Sequence, residues 1–182
     1  MKYLIFVLLT VWSAKPVFSQ KNTIVYLVRH AEKVTTDPTN KDPLLTTNGQ
    51  QRALDLALKL KKDKIHTIYS TDYQRTKLTA KALADERKID IQIYDPKQLN
   101  TLKTKILESG KGKKILIVGH SNTVLETIEA IGGKRPIAEI KDQDYDYLFT
   151  VSIDKNGVVN TKVEHYGQKS SNQEGEQMMK AN

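Results

Sequence analysis

The sequence predicts an α/β fold of three layers, with helices on both faces of a mainly parallel sheet and an antiparallel piece at one edge. Three observations carry this. Short apolar, β-branched runs alternate with longer helical patterns from residue 23 to residue 131. The first of these runs reads as a strand buried on both faces, which is the habit of parallel sheets. The last two runs instead flank "KNG", a hairpin signal that makes them antiparallel neighbours.

Taken in order, "TIVYLV" at 23–28 is the first strand. A loop rich in Thr, Pro, Asn and Asp leads to a helix starting at Thr46 or Thr47, where Gln50 suits a capping box. Ala53, Leu56, Ala57 and Leu60 share one face of that helix. "HTIYS" at 66–70 is the second strand and "YQRTKLTAKALADE" at 73–86 the second helix. "DIQIY" at 90–94 is the third strand, followed by a helix in "QLNTLKTKILES" at 98–109 that Gly110 ends. "KKILIVG" at 113–119 is the fourth strand, and a helix over 122–131 stops at Gly132 and Gly133. "YLFTVSID" and "GVVNTKVEHY" complete the hairpin.

The 182 residues fit one domain, with no linker or internal repeat across 22–166. Residues 1–19 carry Lys2, an apolar run from Tyr3 to Trp12, and Val17 and Ser19 placed like the small residues before a cleavage point, the pattern of a secretory signal peptide. That run of ten is too short to cross a bilayer, which takes roughly 20 residues. The expectation is therefore export to the periplasm or the exterior, with no stable membrane anchor after cleavage. The stretch 167–182 is polar and without periodicity, so it is expected to be disordered. The absence of cysteine excludes disulfides, thiolate metal sites and a cysteine nucleophile. The net charge is +8, or +6 without the two lysines of 1–19. The remaining lysines are spread through helical stretches such as "LALKLKKDK" without interleaved aromatics, which argues for a solvated face rather than nucleic-acid binding, and the charge suits an anionic substrate.

In open α/β sheets, ligands bind beyond the carboxyl ends of the strands. Arg29 and His30 follow the first strand, Arg75 the second, Asp95 the third and His120 the fourth. Arginine forks match phosphate oxygens, and the N–H groups opening the helix at Ser121 and Asn122 add to an anion site. A neutral imidazole can attack phosphorus and split one hard displacement into two easier ones, and neighbouring positive charge keeps it neutral.

Four stretches in order, "LVRHAEK" at 27–33, "DPLLTTNGQQRA" at 42–53, "STDYQRTKLTA" at 70–80 and "VGHSNT" at 118–123, resemble the histidine phosphatase superfamily of phosphoglycerate mutase-like fold. The resemblance runs from Thr23 to His165. It implies a phosphatase in which His30 is the phosphorylated nucleophile, Arg29 and Arg75 bind the phosphate, and His120 stabilises the transferring group. It places Thr71 near the pocket and implies no metal or organic cofactor. The substrate it implies is a small phosphomonoester; a protein phosphohistidine is the alternative. A mutase is disfavoured because the chain is short. The general acid is open between Asp95 and Glu32: Asp95 is otherwise a turn residue before Pro96, and Glu32 a partner for Lys33 or Arg29.

Other candidates are set aside. His66 opens a strand and His165 ends one. Asp142, Asp144 and Asp146 have calcium-loop spacing, but Tyr147 and Ile153 stand where that loop needs glycine and glutamate. A serine hydrolase using Ser121, an aspartate of 142–146 and His165 has the right chain order, yet Thr123 replaces the second glycine of its elbow. A non-catalytic phosphate-binding domain is the third alternative.

Overall fold

The computed structural model describes residues 21–170. The expected signal peptide and most of the expected tail lie outside the described residues. Six strands form one sheet: β1 (Thr23–Arg29), β2 (Ile65–Ser70), β3 (Ile91–Ile93), β4 (Lys114–Gly119), β5 (Tyr147–Ile153) and β6 (Val159–His165). Their order is β3-β2-β4-β1-β5-β6. The first four are parallel, and β5 and β6 add antiparallel at one edge, as the alternation and the hairpin signal predict. β3 keeps only three of its five expected residues.

Four helices cover the faces: α1 (Thr47–Lys59), α2 (Gln74–Arg87), α3 (Leu99–Ser109) and α4 (Ser121–Ala130). On one face Leu56, Ala57 and Leu60 of the α1 end pack with Ala80 and Leu83 of α2 over Val28, Ile68, Leu116 and Val118. On the other, Leu102 and Ile106 of α3 join Val124, Leu125 and Ile128 of α4 over Val25, Leu27, Ile115 and Ile117. Alternate residues of β1 and β4 thus serve opposite cores, which is why both strands are apolar throughout.

Two boundary details differ from expectation. The α1 cap is Thr46, whose Oγ1 accepts the Gly49 N–H at 3.0 Å; Gln50 lies one position too far on to complete a capping box. The chain also stays on the domain past residue 166. Ser170 Oγ accepts the Tyr145 N–H at 2.9 Å and donates to Asp146 Oδ1 at 3.2 Å, so 167–170 is ordered by hydrogen bonds its composition does not advertise. Gly110 does end α3, but with a right-handed backbone (φ −94°). A Cβ there would meet the Ile106 carbonyl oxygen and Ile115 Cδ1 at 2.5 Å, so close approach, not a left-handed turn, requires the glycine.

The segment following β1 is seated on both α1 and α2. The Glu32 carbonyl accepts the Thr46 N–H at 2.9 Å, and the Ala31 N–H donates to Thr79 Oγ1 at 2.9 Å. Gly49 lies against the same carbonyl, where a Cβ would stand 2.2 Å from Glu32 O. Gly49→Ala is expected to destabilise the fold by about 1–3 kcal/mol, because backbone rather than a pliable side chain must move. Thermal unfolding checks this: Tm should fall by about 2–4 °C per kcal/mol lost, and an unchanged Tm contradicts the packing described.

Candidate active site

Arg29 closes β1 and Gly119 closes β4, and the parallel register pairs these two residues. The His30 N–H continues the ladder to the Gly119 carbonyl at 3.0 Å, so His30 and His120 emerge side by side, ring centroids 5.5 Å apart and nearly edge to face. Neighbouring β2 ends at Ser70, and the α2 that follows brings in Tyr73 and Arg75. Together they enclose a cavity of about 350 Å³ lined by Arg29, His30, Lys33, Tyr73, Arg75, Pro96, His120, Ser121, Asn122, Thr123 and Asp142.

His30 is 3% exposed, and its Nδ1 lies 2.8 Å from the Ala31 carbonyl oxygen. A carbonyl can only accept, so Nδ1 carries the hydrogen and Nε2 keeps its lone pair. Burial pushes the His30 pKa down to about 3, with Arg29, Arg75 and His120 acting in the same direction. The Ala31 hydrogen bond opposes them without prevailing. His120 is lowered to about 4 by burial, then by Arg75, Arg29 and Lys33. Both rings are neutral at pH 7.

A relay of hydroxyls fixes the second ring. His120 Nε2 lies 2.9 Å from Thr71 Oγ1, which contacts Thr76 Oγ1 at 3.0 Å; Thr76 donates its one hydrogen to the carbonyl of Thr71 or Tyr73. Thr71 must therefore donate to Thr76 and accept from His120 Nε2–H. Thr71, expected near the pocket, is fully buried, does not line the cavity and sets the His120 tautomer.

The arginines are pre-set by backbone. Arg29, 5% exposed, donates through Nη1 to the carbonyls of Lys141 at 2.7 Å and Asp142 at 2.9 Å. Its guanidinium lies 4.4 Å over the Tyr145 ring. Arg75 rests 4.3 Å over the Tyr73 ring, with Nη1 3.8 Å from Asp42. Asp42 also accepts the Gln74 N–H at 2.7 Å at the start of α2. The buried Nε of each arginine has no partner among the described residues, a costly condition at two adjacent cationic groups. Ser121 and Asn122 line the cavity as the first two residues of α4, adding the positive end of its dipole.

The expected acids are elsewhere. Asp95 is exposed and caps the turn into α3, accepting the Lys97 N–H at 2.9 Å. Glu32 pairs with neither Lys33 nor Arg29; its carboxylate takes Arg52 Nε at 2.9 Å and Nη2 at 2.7 Å. The serine triad is not assembled. His165 Nδ1 does meet Asp146 Oδ2 at 3.0 Å, but both line a different cavity from Ser121. His66 is exposed at a register shift in β2. Sequence reasoning missed Lys33, Tyr73, Tyr145 and Asp142. Tyr73 and Lys33 stand inside quoted motifs, whereas Tyr145 and Asp142 come from a loop whose path had no sequence signal.

Comparisons with known proteins agree with this fold. Residues 25–96 match the family model described as histidine phosphatase superfamily (branch 1). No curated protein sequence matches the chain. Among solved structures, the protein histidine phosphatase SixA complexed with tungstate superposes with a TM-score of 0.61 at 18% identity, over 82% of this chain and 98% of that one. A putative phosphohistidine phosphatase SixA from Agrobacterium tumefaciens gives 0.58 at 22%, over 80% and 97%. A mycobacterial glucosyl-3-phosphoglycerate phosphatase gives 0.61 at 12%, over 80% and 99%. At such identities the likeness is one of fold.

The two depressed histidines bear on stability. Below their ordinary value of 6.5 the unfolded chain takes up protons that the folded chain refuses until about pH 3 to 4. The unfolded state then binds more protons, so stability held above pH 6.5 is lost as pH falls through this window. Each histidine adds up to about 1.4 kcal/mol per pH unit. Urea unfolding at about pH 7.5 and about pH 5 checks it: the wild type should lose more stability over the interval than His30→Asn/His120→Asn. Equal losses contradict the assignment.

Proposed function

We propose that the chain acts as a histidine phosphatase, hydrolysing phosphomonoesters through a phosphohistidine formed on His30; the match of residues 25–96 to the superfamily model and the shared fold support this reading. The observation that carries this reading is the His30 Nδ1 contact to the Ala31 carbonyl, which leaves Nε2 as a neutral, held nucleophile between two arginines.

The phosphate dianion binds between Arg29, Arg75 and the first turn of α4. Nε2 attacks phosphorus in line, the P–O bond to the leaving group breaks, and its electron pair leaves with that oxygen. Charge on the equatorial oxygens meets guanidinium groups already oriented by backbone carbonyls and tyrosine faces, so little reorganisation is needed. The bound dianion also favours a proton on the remaining nitrogen of His120, which supplies a third cationic partner. Water then attacks the phosphohistidine, the P–N bond breaks and inorganic phosphate is released.

The cavity is polar at its floor and open at its mouth, where Asp142 is exposed, which suits a small substrate or a phosphoryl group displayed on a larger one. Phosphorylated protein histidine is the second reading, favoured by that open mouth. The apolar N-terminal run with Lys2 supports export, so substrates outside the cytoplasm belong to this proposal.

The test is a chromogenic aryl phosphate assayed with wild type, His30→Ala and Ser121→Ala. His30→Ala should lose activity by on the order of a thousandfold or more, and Ser121→Ala should stay within about tenfold of wild type. Retained turnover in His30→Ala, or loss confined to Ser121→Ala, contradicts the proposal.

A further inference from the structure

We propose that Asp142 protonates the leaving group and, in the second half-reaction, takes the proton of the attacking water. This rests on the phosphatase reading above. Among the described residues, Asp142 is the sole carboxylate lining the cavity, since Glu32 is engaged by Arg52 and Asp95 by its own turn. Asp142 and His30 line the same cavity at different depths: His30 is 3% exposed, whereas the Asp142 side chain is 99% exposed and so lies at the mouth. An in-line displacement from the floor sends the leaving oxygen toward the mouth.

Its attachment is tight in the backbone and loose in the side chain. The Lys141 and Asp142 carbonyls are fixed by Arg29, and the turn is closed by the Lys141 N–H donating to Asp144 Oδ2 at 3.0 Å. The Asp142 carboxylate itself reaches Arg29 Nη2 only at 3.5 Å, beyond ordinary hydrogen-bond length. A phosphoryl dianion takes over that guanidinium edge, which leaves the Asp142 carboxylate unpaired beside the bound phosphoryl group.

The proton count closes over a turnover. The carboxylic acid gives its hydrogen to the leaving oxygen as the P–O bond breaks, leaving a carboxylate. That carboxylate removes a hydrogen from water as the water oxygen bonds phosphorus and the P–N bond breaks, and the acid is restored.

The experiment compares Asp142→Asn with wild type on two phosphomonoesters, a nitrophenyl ester with a good leaving group and a primary alkyl ester with a poor one. The proposal expects kcat on the alkyl ester to fall by about a hundredfold or more, and on the nitrophenyl ester by only a few fold. Equal losses on both esters overturn it, pointing to Asp142 as a holder of Arg29, and so does no loss on either. Thermal unfolding of the variant, on an exposed loop, should match wild type. A phosphatase reading that is itself wrong shows differently, as wild-type protein inactive on both esters or His30→Ala retaining activity.

Discussion

The pairing of β1 with β4 holds the site together. Because Arg29 and Gly119 share a register position, the residues that follow them leave the sheet together, and the His30 N–H to Gly119 O bond carries the ladder one step beyond the strands. A slip of one residue would turn Val28 and Val118 toward the wrong helical layer, so the two hydrophobic cores enforce the register that sets the histidines 5.5 Å apart. The geometry of the candidate site is thus inherited from core packing.

What the sheet cannot supply, the loops supply through backbone groups. Concentrating Arg29, Arg75 and Lys33 around two imidazoles is unfavourable in the absence of an anion, and the protein offsets this with carbonyls on Arg29, tyrosine faces under both guanidinium groups and Asp42 beside Arg75. These partners hold the guanidinium groups in place, while the buried Nε of each has no partner among the described residues. The Glu32 to Arg52 ion pair and Thr79 secure the loop bearing His30 from two helices at once.

Strand order was legible only in part, while the element sequence was legible almost throughout. Apolar runs and turn residues identify each strand and helix, and the rule that ligands gather at strand carboxyl ends brings Arg29, His30, Arg75 and His120 to one rim. The rule does not say which strands are neighbours. Asp95 follows β3 at the sheet edge, separated from β1 by β2 and β4, and its carboxylate is spent on a turn. Asp142 reaches the cavity because the loop after α4 folds back onto Arg29, and no periodicity encodes that path. Thr71 was placed near the site but in the wrong role, since a hydroxyl four residues before an arginine does not reveal whether it faces ligand or backs a histidine.

The central claim is that a fixed tautomer makes His30 Nε2 the nucleophile. Trapping the phosphoenzyme with substrate and recording its phosphorus–nitrogen couplings by NMR on ¹⁵N-histidine-labelled protein identifies the bonded atom directly. The structure predicts phosphorus on Nε2 of His30, with Nδ1 still protonated against Ala31. Phosphorus on Nδ1, or on any residue other than His30, would contradict it.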